Sequence, residues 1–119
     1  MNFDEMMAEL KAEYVASFPE KLTEIRSHYE ANDREKLRDD FHKLKGTGKT
    51  YGLPEVSILC EVVEKLCLAK GASPNQFVEK ALLSLKNIHL SQLEKKSYTI
   101  ENCADYKALL QLLHKVDNT

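Results

Sequence analysis

Residues 53–68, LPEVSILCEVVEKLCL, decide the fold class of this 119-residue chain. Apolar side chains recur in this stretch every three or four residues, which is the spacing of a helix with one buried face. They are Val56, Leu59, Cys60, Val63, Leu66 and Cys67. Gly52-Leu53-Pro54 predicts a corner before this helix, and Gly71 stands where a C-terminal cap belongs.

Amphipathic stretches on both sides of this helix repeat the pattern. The first runs from Phe3 to Glu30 and is interrupted near Pro19, where Ser17 and Glu20 have the spacing of a capping box. A second helix follows and can be capped by Asn32 or Asp33. Its apolar side consists of Leu37, Phe41, Leu44 and Tyr51. Each stretch is long enough to bury one face of a helix.

Two further helices follow the central stretch. The sequence Ser73-Pro74-Asn75-Gln76 combines an N-cap, a proline at the first helical position and a capping-box glutamine. The inward face of the helix that it opens is Phe77, Ala81, Leu85 and Ile88. A last helix is predicted over about residues 102–116, with Tyr106, Leu109, Leu110, Leu113 and Val116 as its apolar stripe.

Long amphipathic helices joined by short connections predict an all-α fold, an up-down antiparallel four-helix bundle with an additional C-terminal helix. We expect residues 1–92 to form the bundle and residues 93–119 to form an extension that packs on it. The net charge of −2 and the pI near 6.1 argue against binding of nucleic acid or of anionic lipid. No apolar run could span a membrane, and the N-terminus has no signal-peptide pattern. Three cysteines without a CxxC pair favour reduced thiols in a cytoplasmic protein, which we expect to be a monomer.

The second helix contains a histidine that breaks the apolar pattern. With an advance of about 100° per residue, His42 points about 140° away from the middle of the buried arc. Arg38, Lys45 and Lys49 lie within about 60° of His42 on one flank, and Gly46 lies about 40° away on the other. The spacing therefore predicts an exposed imidazole beside three cations and a residue without a side chain.

These residue types suit a phosphoryl acceptor. A neutral imidazole is a nucleophile near physiological pH, and neighbouring cations attract anionic phosphoryl oxygens. Two glycines in a helix each cost up to about 1 kcal/mol relative to alanine, which indicates a need for space. We expect Gly46 to leave room for a partner, and Gly48 to leave room for the packed neighbours.

The stretch His42-Lys43-Leu44-Lys45-Gly46, followed by Tyr51-Gly52-Leu53, resembles the signature of histidine-containing phosphotransfer (HPt) domains, here as a stand-alone member. The resemblance implies a four-helix bundle whose His42 is phosphorylated on Nε2, with Lys45 in support and Gly52 in a structural role. It also implies a phosphorelay intermediate of two-component signal transduction. Such a carrier exchanges phosphoryl groups with aspartates of response-regulator receiver domains, and these domains supply the Mg²⁺. The other implied partner is a (hybrid) sensor histidine kinase. It is not an enzyme with an ATP-binding kinase region.

An alternative function remains open on the sequence. The same helix face could serve a phosphorylation-independent adaptor that only docks receiver or kinase domains. The seventh residue after the histidine, commonly small in the family, is Lys49 here. This lysine either strengthens the attraction of the phosphoryl group or narrows the range of receivers that can dock.

Two enzymatic alternatives are excluded. Gly46-Thr47-Gly48-Lys49-Thr50 resembles the end of a P-loop, but the required earlier glycine is Lys43 and the approach is helical. A carboxylate-bridged di-iron bundle would need two Glu-x-x-His motifs with further glutamates facing inward. The only near match is Asp39-x-x-His42, whose histidine faces outward, so no metal site is predicted.

Overall fold

The computed structural model describes residues 2–117, and over this range the chain is all-α. Its six α-helices are α1 (Phe3–Ala16), α2 (Phe18–Glu30), α3 (Arg34–Thr50), α4 (Pro54–Leu68), α5 (Val78–Leu93) and α6 (Ala104–Asp117). Short 3₁₀ turns, Pro74–Gln76 and Ile100–Asn102, precede α5 and α6. No helix among the described residues combines the length and apolar character that crossing a membrane requires.

Helices α2 to α5 form the four-helix bundle. Contacts join α2 to α3, α3 to α4, α4 to α5 and α5 back to α2, with α3 and α4 the most extensive pair. Short connections reverse the chain between neighbours, so the helices alternate in direction. The core between them contains Ile25, Leu37, Phe41, Leu59, Val63, Leu66, Phe77, Leu85 and Ile88. The predicted up-down bundle is confirmed.

The C-terminal segment adds to the same core. Helix α6 lies against α4 and α5, and Ile100 and Leu109 are fully buried. The additional C-terminal helix is therefore confirmed, whereas the boundary between residues 92 and 93 stays a prediction. Leu110, predicted in the apolar stripe of α6, is 39% exposed instead, because the buried face of this helix is centred on Tyr106 and Leu109.

The contact between α3 and α4 is unusually close at Gly48. A Cβ atom at this position would lie 2.7 Å from Ser57 Oγ and 2.9 Å from Val56 Cβ. The Ser57 hydroxyl donates a hydrogen bond to the Lys45 carbonyl and accepts one from the Lys49 amide, both at 2.7 Å. Gly48 thus leaves room for the Ser57 side chain of α4 to form hydrogen bonds with the backbone of α3, as expected from the predicted inward position of this glycine.

Several predicted helix ends are confirmed. Asp33 caps α3 by accepting a hydrogen bond from the Lys36 amide, and Ser73 and Gln76 form the predicted capping box, here on the 3₁₀ turn. Gly52 has φ +83° at the corner between α3 and α4, a conformation that favours glycine.

Two predicted caps are wrong. Ser17 separates α1 from α2, but its hydroxyl donates back to the Tyr14 carbonyl and does not cap α2. Gly71 does not end α4, which stops at Leu68. The guanidinium of Arg34 instead donates to the carbonyls of Leu66, Cys67 and Ala69, so a long-range contact replaces the local cap.

Candidate functional site

His42 lies on the exposed side of α3. Its side chain is 60% exposed, whereas Phe41 beside it is fully buried and Leu44 is nearly so. Asp33 starts the helix and the apolar residues fix its rotation, because they must face the core. The outward orientation of His42 that the helical spacing predicts is confirmed.

The surface next to His42 is open. A Cβ atom at Gly46, one turn after His42, would meet no atom within 4 Å, so the helix surface at this position is open. Beyond Gly46, a shallow cavity of about 430 Å³ lies between α3 and α4, and Lys45, Lys49 and Ile58 are among its lining residues. A partner can therefore approach the imidazole closely over Gly46.

Glu64 of α4 holds both His42 and Lys45. Its Oε1 lies 3.0 Å from Nδ1 of His42, and its Oε2 lies 2.8 Å from Nζ of Lys45. The Glu64 side chain is only 11% exposed, although the two groups that it contacts are much more accessible. The three residues form a chain of contacts that runs from the core to the surface.

The protonation of Glu64 decides the tautomer of His42. Burial alone would raise the pKa of Glu64, but the contacts with Lys45 and His42 outweigh it and lower this pKa below its ordinary value of 4.5. An ionised carboxylate only accepts hydrogen bonds, so the proton of this contact belongs to Nδ1 of His42. In the neutral imidazole the lone pair then lies on Nε2, which makes no hydrogen bond to any residue of the described range.

The other cations predicted for this site are placed differently. Lys49 is exposed on the same side of α3 as His42. The guanidinium of Arg38 lies 2.8 Å from Oδ1 of Asp39, and its side chain is 38% exposed. The ammonium of Lys45 forms an ion pair with the Glu64 carboxylate. The structure thus brings His42, Lys45 and Gly46 together, with Lys49 and Arg38 on the flanks, and their functional roles stay predictions.

The remaining histidines differ from plain surface residues in two cases. The side chain of His28 is 20% exposed, and its Nδ1 lies 2.6 Å from Oδ2 of Asp40 on α3. Burial raises the pKa of Asp40, and the contact with His28 offsets this effect only in part. His89 stacks on Phe18 with 5.7 Å between ring centroids. His114 is exposed.

Sequence reasoning missed the role of Glu64. Glu64 is not among the predicted site residues, because its partners lie 22 and 19 residues earlier in the chain. One signal could have found it. Glu64 is a charged residue within the apolar stripe of α4, four residues after Cys60 and three before Cys67, and such a residue needs a partner when buried.

Comparison with known families agrees with this geometry. The sequence model of the Hpt domain matches residues 9–89, from the second half of α1 to most of α5. No curated protein and no solved structure matches the chain. Hpt domains are phosphocarrier modules and not kinases, and they interact with receiver domains and kinases in phosphorelays. Because the match covers more than half of its length, the chain belongs to the Hpt domain family, which acts in histidine phosphotransfer in two-component signalling.

Proposed function

We propose that this protein carries a phosphoryl group on Nε2 of His42 and exchanges it with aspartates of receiver domains. The observation that carries the proposal is the contact of Nδ1 with Glu64, which leaves Nε2 as the free, exposed nucleophile of the ring. Gly46, one turn further along α3, leaves the approach to this atom open.

The transfer step follows from this tautomer. The lone pair on Nε2 attacks the phosphorus of an aspartyl phosphate, the bond from phosphorus to the aspartyl oxygen breaks, and the aspartate leaves as a carboxylate. The imidazole keeps its proton on Nδ1 and gains positive charge as the new P–N bond forms. The Glu64 carboxylate, 3.0 Å from Nδ1, stabilises that charge, and the reverse step returns the ring to neutrality.

The cations around His42 act on the phosphoryl oxygens. Lys45 reaches Glu64 in the free protein, and its side chain is 38% exposed, so its ammonium can turn towards a phosphoryl group on the neighbouring imidazole. Arg38 and Lys49, together with Gly46, form the docking surface for the receiver. Phosphoryl transfer depends mainly on positioning and charge stabilisation, and we expect the receiver to supply Mg²⁺.

We further propose that the partners are receiver domains and a sensor histidine kinase, and that exchange takes place in the cytoplasm. The three cysteines are free thiols, two of them buried, which suits a reducing compartment. The net charge of −2 gives no reason to expect nucleic acid as a partner.

The test is incubation of the protein with phosphorylated receiver domains, followed by assay for an acid-labile, base-stable phosphate. Wild type should be labelled, His42→Gln should not, and both should bind the receiver with similar affinity. His114→Gln is the matched control, because it removes an exposed histidine of α6 and should be labelled normally. If the wild type binds receivers but is never labelled, the protein is a phosphorylation-independent adaptor, and the proposal fails.

A further inference from the structure

A second group of side chains on the bundle has the composition of a metal site. Glu24 and His28 lie on α2, and Asp40 lies on α3 opposite them. Each offers one ligand atom, and these three atoms all lie within 4.8 Å of one another. Glu24 and His28 are four residues apart, so they lie on the same face of α2.

Burial and solvent access around these residues fit a bound ion. Glu24 and Asp40 line a cavity of about 320 Å³ between α2 and α3, which gives an ion access from solvent. The Asp40 side chain is only 8% exposed, and its Oδ2 contacts His28. Its other oxygen, Oδ1, receives no hydrogen bond from residues 2–117. Because Oδ1 is not fully buried, this oxygen can contact an ion that enters the cavity.

We propose that Glu24, His28 and Asp40 bind a first-row divalent ion of the Zn²⁺ class between α2 and α3. An imidazole nitrogen with two carboxylates is a ligand set that suits zinc, and water can fill a fourth position. Magnesium fits less well, because it prefers oxygen ligands alone. On binding, the ion takes the place of the proton between His28 Nδ1 and Asp40 Oδ2, and the neutral imidazole then carries its one N–H proton on Nε2.

Only a small movement is needed to close the site. Ligand atoms around tetrahedral zinc lie about 3.5 Å apart, since each lies about 2.0–2.2 Å from the metal. Nδ1 of His28 and Oδ2 of Asp40 are 2.6 Å apart, so these two atoms must move slightly apart to hold the ion. Glu24 is exposed and can approach by a change of rotamer.

Two lysines also line the cavity, and they bear on the affinity. The ammonium of Lys21 donates to Ser17 Oγ at 2.6 Å and lies over the Tyr14 ring, so it is held by other partners. Lys43 is exposed, and its charge opposes that of an ion. We therefore expect binding of moderate strength.

The proposed ion site is separate from the phosphotransfer site. Asp40 and His42 are two residues apart on α3, which places them about 200° apart around the helix axis. A metal ion at Asp40 would therefore lie on the far side of α3 from the exposed imidazole. His42→Gln should bind zinc as the wild type does, whatever its phosphorylation.

The test is a calorimetric titration of the full chain with zinc chloride, together with thermal unfolding in the absence and presence of zinc. Wild type should bind one equivalent with a Kd below about 0.1 mM, and saturating zinc should raise the Tm by several degrees. His28→Gln and Glu24→Gln should each weaken binding at least about tenfold, and His114→Gln should leave it unchanged. If His28→Gln does not fold, Glu24→Gln alone tests the metal site, because Glu24 is exposed and has no role in the core.

Three results would overturn the proposal. One is the absence of saturable binding up to about 1 mM zinc. The others are binding that neither Glu24→Gln nor His28→Gln weakens, and binding that His114→Gln weakens equally.

Discussion

Oε1 of Glu64 lies 3.0 Å from Nδ1 of His42, so α4 holds the imidazole that α3 presents to solvent. The same carboxylate lies 2.8 Å from the ammonium of Lys45 through its other oxygen. One buried residue therefore fixes the tautomer of the proposed phosphoryl acceptor and the resting position of its neighbouring cation.

Glu64→Gln should slow phosphoryl transfer from a receiver at least about tenfold, equivalent to about 1.4 kcal/mol in the transition state. A neutral amide no longer favours the proton on Nδ1 and no longer stabilises the positive ring. Nitrogen NMR of the His42 ring should show a mixture of tautomers in the variant and mainly the Nδ1–H form in the wild type. The control is Glu61→Gln, an exposed glutamate one turn earlier on α4. An unchanged tautomer and transfer rate in Glu64→Gln would refute the positioning role.

The stability conferred by Glu64 should depend on pH. Because its pKa in the folded protein is below the ordinary 4.5, its contribution is fully present above about pH 4.5. It is lost as the pH falls below that value towards the folded pKa. The difference in unfolding free energy between wild type and Glu64→Gln, measured by denaturant titration, should therefore shrink between pH 6 and pH 3. A difference that stays constant over this range would contradict the ion-pair assignment.

Lys45→Ala should reduce the transfer rate by at least about tenfold, because it removes the cation that shares the Glu64 carboxylate with His42. The unfolding free energy should fall by less than about 1 kcal/mol, since the side chain is 38% exposed and its ion pair is screened by solvent. Single-turnover transfer and thermal unfolding measure the two effects. Lys36→Ala, an exposed lysine on the same helix, should change neither. A wild-type transfer rate in Lys45→Ala would show that this lysine does not act on the phosphoryl group.

Gly46→Gln should fold at least as well as the wild type yet lose most receiver binding and phosphotransfer. The new side chain enters open surface, so nothing in the free protein opposes it, and the helix gains up to about 1 kcal/mol of propensity. A docked receiver, however, would meet it beside the imidazole. Circular dichroism, receiver affinity and transfer rate together test this expectation. Loss of folding, or normal transfer, would mean that the open-face description of α3 is wrong.

Gly48→Ala should lower the unfolding free energy by about 1–2 kcal/mol and the Tm by several degrees. Its Cβ would lie 2.7 Å from Ser57 Oγ and 2.8 Å from the Ser57 amide nitrogen, so α4 must shift away from α3. Thermal unfolding measures the loss, and Gly46→Ala is the matched control, expected to be neutral or stabilising. If both alanine variants are equally stable, the close contact at Gly48 does not limit the packing.

Much of the fold could be predicted from the sequence because it depends on local periodicity. The apolar spacing in α3, α4 and α5 identified the residues that are buried, and the same spacing placed His42 outside the core. The contrast between Gly46 and Gly48 was also predictable, since residues that are two positions apart on a helix point about 200° away from each other. These properties depend only on neighbours within a few turns.

Only the tertiary structure decided what the side chains of different helices contact. The pairing of Glu64 with His42, the entry of the Ser57 hydroxyl into α3 and the capping of α4 by Arg34 all join separate elements. Each depends on how far one helix is rotated and shifted against another. The arrangement of α3 against α4 depends on their close packing at Gly48. It cannot be predicted from the spacing of residues within a single helix.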